Sequence, residues 1–434
     1  MTSMSPKQRL GYMLALIIAG EAVFALPFHI ARFFRPTMLE VFDLSATELG
    51  AAQGVYGVVA MIAYFPGGPL ADRYPAHKLM ALSLWSTAAG GLYMATFPGL
   101  TGSMLMFGFF GITTILLFWA ALIRATRDWG GADAQGRAYG LLDGGRGFLA
   151  AGLLSIGAAV FTFAFPDGYA AASMSDKASA LRSVIYGYTA FTAVAGIYIW
   201  FALQGLEAAS DAHHSERRKA IWGHIIPVLR LPTVWLHAVI VVCAYVGYKG
   251  IDNYSLFAVQ GYGLDEVEAA QLLTIAAWVR PFAAFGAGYL GDRIDITRAI
   301  LICFCLLLTA DLLFAVTTPI SGAFLIMLSN VVLTCIAVYG LRGLYFAIFE
   351  EVKLSPLMTG TAVGIVSVIG YTPDIFVTLV AGVLIDANPG LEGHQHFFWF
   401  LASFALLGIV ATALLRRVNN VQAPNHTPAT METN

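Results

Sequence analysis

Charge is what this sequence has least of. Only 12% of its 434 residues are Asp, Glu, Lys or Arg, whereas 58% are hydrophobic. Soluble globular domains carry about 25% charged residues. The mean hydropathy of +0.74 agrees with this shortage, and the net charge of −2 lacks the basic excess of nucleic-acid-binding proteins. We therefore expect a lipid bilayer as the main surroundings and no nucleic-acid partner.

Cysteine and the usual marks of enzyme sites are also scarce. The four cysteines all lie in apolar runs, so we interpret them as small buried side chains and not as disulfides or metal ligands. The pairs His213-His214 and His394-x-His396 lie in predicted loops, and we interpret them as incidental. The sequence has no phosphate-binding loop and no nucleophile motif. It thus predicts no metal, no cofactor and no enzyme activity.

Long apolar runs are what the sequence has instead. About twenty apolar residues cross the hydrocarbon core as a helix, and backbone groups in lipid must be satisfied within helices or a closed barrel. The runs are continuous and not alternating, which favours helices. The prediction is an all-α membrane protein with twelve spanning helices. The predicted spans are 10–34, 49–71, 79–97, 103–123, 138–163, 183–203, 234–257, 266–290, 298–316, 321–341, 358–383 and 396–415.

Basic residues give the predicted orientation, because cytoplasmic loops are enriched in Lys and Arg. With a cytoplasmic amino terminus, seventeen of the 24 basic residues, Arg342 among them, fall in inside segments. Only Arg32, Arg35, Lys177 and Arg182 fall in outside segments. We therefore expect a multi-pass protein of a bacterial inner membrane, a monomer, with both termini cytoplasmic.

The longest polar stretch divides the chain into two sets of six spans. It contains the run Glu216-Arg217-Arg218-Lys219, which is typical of a solvated linker at a membrane surface. The tail after Arg417 is polar and is predicted to be disordered. The predicted organisation is an amino-terminal tail at 1–9, a first six-helix bundle at 10–203, a linker at 204–233, a second bundle at 234–415 and a tail at 416–434.

An internal repeat relates the two sets of spans. The motif G-x-L-[AG]-D-R follows the second and the eighth predicted spans, 220 residues apart. Transporters are often built from such repeats, with the binding site between them. We expect the glycine to let a neighbouring helix approach closely and the Asp to accept from a helix amino terminus. The predicted gating residues are Gly68, Asp72, Arg73, Gly288, Asp292 and Arg293.

Ionisable residues inside spans indicate function, because each costs about 2.5–3.5 kcal/mol or more at mid-bilayer. The offset of 220 residues places Lys249 of the seventh span opposite His29 of the first, and Asp252 opposite Arg32. Two facing cations suit an anion held between the bundles. A lipid-surface position for Arg32 is the alternative. The predicted substrate-binding residues are Arg32, Lys249, His29, Asp252, Asn253, Tyr248 and Arg280.

Buried carboxylates supply the candidates for proton coupling. Glu21 is central in the first span and is the leading candidate, although it could instead pair with Arg146 or Lys249. Asp143 and Arg146 share a helix face and can pair. The remaining candidate is Asp374, which follows Pro373 in the eleventh span, where we expect a kink that frees a backbone carbonyl. Asp374 can also pair with Arg280. We interpret Asp311 as structural. A proton is the possible coupling ion, and exchange, sodium coupling and facilitated diffusion stay open.

The repeated motif resembles the signature loop of the major facilitator superfamily, in which it latches two bundles. The segments Phe28 to Phe34 and Tyr248 to Tyr254 look like the organophosphate:phosphate antiporter branch. The segments Gly360 to Pro373 and Leu384 to Gly390 resemble YihN-type inner-membrane facilitator proteins. This resemblance implies two six-helix bundles with pseudo-twofold symmetry. It also implies Arg32 and Lys249 as an anion-binding pair.

The predicted function is secondary active transport of a small organic anion by rocker-switch alternating access. The anion classes that suit the paired cations are sugar phosphates, sulfonates and carboxylates. One alternative is a proton-coupled transporter of a neutral sugar or a drug. Another is a transporter-like membrane sensor, which binds a ligand without moving it.

Overall fold

Helices account for every regular element of the described chain. The computed structural model describes residues 5–131, 135–165, 168–204, 225–320, 323–345, 347–348 and 356–422. Most of the predicted linker, the end of the predicted tail and the pair His213-His214 lie outside the described residues. The all-helical prediction is confirmed for the part of the chain that the structure describes.

The described residues of the first half contain eight helices longer than one turn, which we number in chain order. They are α1 Pro6–Phe24, α2 Arg35–Phe42, α3 Ala46–Arg73, α4 Ala76–Met94, α5 Leu100–Gly111, α6 Ala120–Gly130, α7 Gln135–Ala164 and α8 Met174–Ala202. Two π-helical segments interrupt this series. Ala25–His29 continues α1 into a short turn at Ile30–Phe33, and Ile112–Trp119 joins α5 to α6. Such π segments frequently lie at functional sites.

The described residues of the second half contain ten helices. Three predicted spans are each broken into two of these helices. They are α9 Ile225–Leu229, α10 Pro232–Gly250, α11 Tyr254–Tyr262, α12 Glu266–Ala277, α13 Val279–Ile294, α14 Ile296–Val316, α15 Phe324–Leu344, α16 Pro356–Gly370, α17 Pro373–Ala387 and α18 Leu391–Gln422. A 3-10 turn at Ile251–Asn253 joins α10 to α11. A break at Trp278 separates α12 from α13. The break before Pro373, where the proline takes a first-turn position of α17, is the predicted interruption.

Within the part of the chain that the structure describes, ten helical segments are long and apolar enough to cross a membrane. The two predicted spans that fall outside this group are 79–97 and 266–290. Helix α4, which covers most of the first, has 19 residues diluted by serine, threonine, histidine and glycine. Helices α12 and α13, which cover the second, are 12 and 16 residues long, so neither piece spans by itself.

We define two ends of the molecule by the helices that begin or finish there. The near end is where α1 begins and α3 and α13 finish, and the far end is where α2 meets α3 and α17 finishes. Helices α3 and α17 are in close contact along the far half of α3. Gly50, Gly54 and Gly57 face the backbone of α17, and a Cβ at Gly57 would lie 2.5 Å from the carbonyl carbon of Asp374. Small residues allow such close contacts between helices in lipid.

Candidate functional site

A cavity lies between the two halves of the chain, and both halves line it. Its empty volume is about 870 Å³, including the space at its mouth. Charged residues contribute much of its wall, which is unusual within a membrane protein. The ionisable lining residues include Glu21, His29, Arg32, Arg146, Arg280, Arg342 and Asp374. Aromatic lining residues include Phe24, Phe28, Trp119, Tyr245, Tyr248, Tyr339 and Tyr371.

Arg32 is turned inward and pairs with the other half of the chain. Its Nε donates to Oδ1 of Asp252 at 2.5 Å, and its Nη1 donates to the Tyr248 hydroxyl at 3.1 Å. The hydroxyl of Ser255 donates to the backbone carbonyl of Arg32 at 2.8 Å. Only 5% of Arg32 is exposed, so the alternative of a lipid-surface position is wrong.

Lys249 is buried beside the same carboxylate. Its Nζ is 2.6 Å from Oδ2 of Asp252 and 3.4 Å from Oδ1 of Asp374. Tyr245 donates to the other oxygen of Asp374 at 3.0 Å. The two predicted cations therefore meet, but they meet on Asp252, which neutralises part of their charge. Lys249 and Asp252 lie behind the cavity wall, whereas Arg32 and Asp374 line the cavity.

Glu21 is the centre of a second ionic cluster. Its Oε1 is 3.1 Å from Nε2 of His29, and its Oε2 is 3.3 Å from Nε of Arg146. Arg280 of the second half is 4.0 Å away. The expected pairing with Arg146 is present, whereas Lys249 pairs elsewhere. A carboxylate with this many positive neighbours is held in its charged form.

Asp143 does not pair with Arg146 as expected from their spacing. It pairs instead with Arg280, at 3.2 Å from Nη2 to Oδ1, because Gly144 and Gly147 let helix α13 pack against α7. Arg146 is drawn to Glu21. Arg280 therefore lines the cavity as predicted, but its carboxylate partner is Asp143 and not Asp374.

Arg342 is the cavity residue that the sequence analysis misplaced. We counted it as a cytoplasmic loop residue, but it lies in the last turn of α15 and lines the cavity. Its guanidinium is 4.0 Å from the ring centroid of Tyr248, and its buried Nη1 has no hydrogen-bond partner among the described residues. No carboxylate of the described residues is within 4.0 Å of it. Arg35, counted as an outside residue, is fully buried and donates a hydrogen bond to Gln53.

Asn253 is the predicted binding residue with the least support. It is buried in the 3-10 turn, and neither amide atom makes a hydrogen bond within the described residues. It does not line the cavity. The structure therefore places His29, Arg32, Tyr248 and Arg280 at the cavity, and Lys249, Asp252 and Asn253 behind it.

The repeated motif does not make the contacts that we expected from its glycines. A Cβ at Gly68 or Gly288 would meet no atom within 4 Å, so no helix packs closely there. Other glycines make the close contacts. In the first copy Gly67, one residue before Gly68, faces Ile115, and in the second copy Gly291, three residues after Gly288, faces Leu344.

The charged residues of the motif lie at the near end. Arg73 lies over Tyr74, and Arg293 lies over Tyr289 at 4.4 Å from the ring centroid. Asp72 is exposed at the end of α3. The side chain of Asp292 is outside the described part of the structure. The latch role of these residues stays a prediction.

Comparison with known proteins shows the family. The profile of the Major Facilitator Superfamily matches residues 10–376. The chain belongs to the Major Facilitator Superfamily. Because the members of this family are membrane transporters, the prediction of a transport protein and not an enzyme is confirmed.

Curated relatives agree with this assignment. The inner membrane protein YqcE of Escherichia coli K12 is 28% identical over 90% of this chain and 91% of its own length. The inner membrane protein YihN of the same organism is 27% identical over 96% of this chain and 97% of its own. Together with the ten apolar helices described for this chain, these relatives support a multi-pass protein of the inner membrane.

Solved structures share the fold. A bacterial homologue of the human lysosomal transporter Spinster, inward-facing and unoccupied, aligns with a TM-score of 0.74 at 15% identity over 98% of this chain and all of its own. The nucleoside transporter NupG aligns with a TM-score of 0.69 at 13% identity over 94% of this chain and 99% of its own. At these identities the likeness concerns the fold alone.

Proposed function

We propose that this transporter carries a small organic anion in the cavity between two six-helix bundles. The proposal rests on Arg342, a cation in the cavity wall with no carboxylate partner among the described residues. Its guanidinium rests on Tyr248, and its buried Nη1 has no hydrogen-bond partner among the described residues. A cationic donor that is removed from water needs a partner, and a bound anion would supply one.

The charges of the cavity and its two clusters support the same proposal. The cations are Arg32, Arg146, Lys249, Arg280 and Arg342, and the carboxylates are Glu21, Asp143, Asp252 and Asp374. Five positive charges against four negative ones leave one positive charge when His29 is neutral. Because Arg342 and Arg280 are within each other's electrostatic range, an anion between them would be attracted by both.

The aromatic wall favours an anion that carries a ring. Tyr245 is in ring contact with both Tyr248 and Tyr371, and Tyr64 stacks on Tyr371 across the two halves. Aromatic faces pack against sugar rings while their hydroxyls bind polar groups. A phosphorylated, sulfonated or carboxylated sugar combines the charge and the ring. Arg342 would hold the anionic group by two parallel hydrogen bonds.

The larger arrangement that we propose follows the family and the repeat. Twelve spans form two pseudo-symmetric bundles, with both termini cytoplasmic, in a monomer that exposes the cavity to each side in turn. A substrate anion competes with Glu21 for Arg146 and Arg280 at the ion-pair distances given above. When these cations turn to the substrate, Glu21 becomes able to take up a proton, which would link transport to a proton gradient.

Thermal unfolding of the purified protein tests the substrate class. A sugar phosphate, a sulfonated sugar, a hexuronate, a neutral sugar and a nucleoside are compared. A ligand at 100 times its dissociation constant stabilises the fold by about 2.7 kcal/mol. We expect stabilisation by at least one of the anions and none by the neutral compounds. In Arg342→Gln the affinity should fall roughly 10- to 100-fold, since hydrogen bonds to charged groups contribute about 1.5–3 kcal/mol.

Arg182→Gln is the matched control. Arg182 binds the Ala95 carbonyl and lies over Phe97, away from the cavity, so its loss should leave affinity unchanged. Equal stabilisation by a neutral sugar, with no effect of Arg342→Gln, contradicts the anion assignment. Uptake of the labelled anion into proteoliposomes then separates a transporter from a sensor, because a sensor binds without accumulation.

A further inference from the structure

Asp311 is a buried carboxyl group that the cavity does not use. It lies in α14, is 0% exposed, and neither of its oxygens has a hydrogen-bond partner among the described residues. The other carboxylates inside the bundle differ, because Glu21, Asp252 and Asp374 each have a cation within 4.0 Å. No cation of the described chain is within that distance of Asp311.

The neighbours of Asp311 are polar but uncharged. Tyr254 of α11 is within its electrostatic range, and its ring meets Phe314, one turn after Asp311 on the same helix. From α15, Asn330 donates its Nδ2 to the carbonyl of Ala310 at 3.0 Å. The hydroxyl of Tyr254 and Oδ1 of Asn330 also lack partners within the described residues. Polar side chains from two other helices thus approach the helix segment that carries Asp311.

The titratable groups of the surrounding helices do not supply a counter-charge. Cys335 of α15 is buried and neutral in an apolar setting. The ring of His394 in α18 contacts Phe257, and its Nε2 is hydrogen-bonded to the side chain of Gln260. Arg280 of α13 is committed to Asp143, and Arg416 of α18 lies near Asp295 at the near end.

We infer that Asp311 holds a proton in this conformation and forms a second proton-binding site, outside the cavity. An isolated carboxylate in a dry interior is so unfavourable that the group neutralises instead. The neutral acid has one donor and one acceptor, which match the acceptor Oδ1 of Asn330 and the hydroxyl of Tyr254. A charged carboxylate would offer acceptors only.

The chain links this site to the contact between the halves. Tyr254 begins α11 immediately after the 3-10 turn, and Asp252 within that turn pairs with Arg32 of the first half. A shift of the turn that separates Asp252 from Arg32 would also move the Tyr254 hydroxyl relative to Asp311. Proton release from Asp311 by this route would accompany opening of the far end. This inference does not depend on which substrate the cavity holds.

Infrared spectroscopy of the substrate-free protein tests the proton. A protonated carboxyl group has a carbonyl stretch that is separate from the bands of a carboxylate. We expect this band at neutral pH in the wild type and its loss in Asp311→Asn, which keeps the shape of the neutral side chain. Asp176→Asn is the control, because Asp176 caps α8 at an exposed position and should leave the band unchanged.

Two further results complete the test. Asp311→Glu should shift the band without abolishing it, which keeps the test informative if Asp311→Asn does not fold. An identical band in the wild type and Asp311→Asn overturns the inference. So does a stabilisation of the wild type by Na⁺ that Asp311→Asn lacks, because the site would then hold a metal cation and not a proton. Failure of anion binding leaves all of these readouts unaffected.

Discussion

Asp252 receives one cation from each half of the molecule. Arg32 approaches one of its oxygens and Lys249 the other. A buried carboxylate between two cations is stable only while the contacts remain, because removing one partner leaves an unpaired charge in the interior. The pair that we expected to clasp an anion is therefore largely occupied by the protein itself. Among the described residues, Arg342 lines the cavity with no carboxylate within 4.0 Å, and we therefore propose it as the cation that binds the anion.

Removing Lys249 tests this structural assignment. Lys249→Met leaves Asp374 without its only cation within 4.0 Å among the described residues. We expect a destabilisation of about 3–5 kcal/mol, the usual cost of breaking a buried ion pair. It should appear as a lower temperature of thermal unfolding in detergent.

The second variant of this test removes the orphaned charge. Lys249→Met with Asp374→Asn should recover most of the loss, because neither charge is then buried alone. Lys249→Met with Glu392→Gln is the control, since the side chain of Glu392 is 71% exposed and should give no recovery. An unfolding temperature for Lys249→Met equal to that of the wild type contradicts the assignment.

Helices α3 and α17 form the closest contact between the halves. The carboxylate of Asp386 in α17 accepts from the backbone N–H groups of Ala46 and Thr47, at 3.3 and 2.7 Å. These are first-turn donors of α3, where the partial positive charge of the helix collects. One side chain of the second half thus caps a helix of the first half and fastens the far end.

Neutralising this cap should loosen the far end. Asp386→Asn loses a charge–dipole interaction of about 0.3–1 kcal/mol, up to ~2 kcal/mol where partly buried. The population with an open far end should rise roughly 2- to 30-fold. The alkylation rate of Leu256→Cys measures it, because Leu256 is buried beside Ala46 and Ile385 while this end is closed.

Glu48→Gln is the matched control for that experiment. Glu48 caps the same helix, accepting from the Ser45 N–H at 2.9 Å, and no hydrogen bond or ion pair joins its side chain to the second half within the described residues. It should therefore leave the alkylation rate unchanged while lowering the stability of α3 slightly. Equal rates for Asp386→Asn and the wild type exclude Asp386 as a fastening between the halves.

The helices illustrate which features a sequence can predict. Pro373 ends one segment and starts another, as proline chemistry requires, and the break was predicted there. The other interruptions also have proline or glycine nearby. Pro27 lies inside the π segment Ala25–His29, Gly111 precedes the π segment Ile112–Trp119, and Pro281 follows the break at Trp278. We did not predict these interruptions, because such a residue does not by itself decide between a kink, a π segment and a full break.

The charged residues illustrate the same limit. Arg32, Glu21 and Asp374 could be placed inside the bundle because each interrupts a long apolar run. Arg342 lies at the end of such a run, where loop and cavity positions have the same local sequence. Only the packing of α15 against α13 decides that it faces the cavity. The ion-pair partners could not be predicted from the sequence either, because Asp143 could reach Arg146 on its own helix or Arg280 on another.

The pseudo-symmetry that we propose for the whole molecule agrees with one contact. Arg32 and Asp252 are 220 residues apart, the same offset as the two copies of the repeated motif. Residues that are equivalent in two related halves can touch only near the axis that relates the halves. The proposed symmetry would therefore place the Arg32–Asp252 pair close to that axis, and the alternating access that we propose would have to separate the pair.

A reversible lock across the far end tests whether this separation is required. In Ala46→Cys with Ile385→Cys, the new thiols lie in one buried cluster that includes residues of both halves. A disulfide needs Cα atoms about 4.4–6.8 Å apart, which the contacts of Asp386 with Ala46 and Thr47 favour. Oxidation should abolish uptake into proteoliposomes, and a thiol reductant should restore it. Each single-cysteine variant is a control for oxidation of Cys305, which is exposed.

Binding measured on the locked protein separates two mechanisms. If the cavity binds its anion while the far end is closed, oxidation should leave the stabilisation by that anion within about twofold while uptake stops. The lock would then block movement between the two states and not the site itself, which is the behaviour of alternating access. Undiminished uptake in fully oxidised protein would mean that the far end need not open. The Arg32–Asp252 pair would then be a permanent contact at the centre of the fold, and the substrate would have to pass by another route.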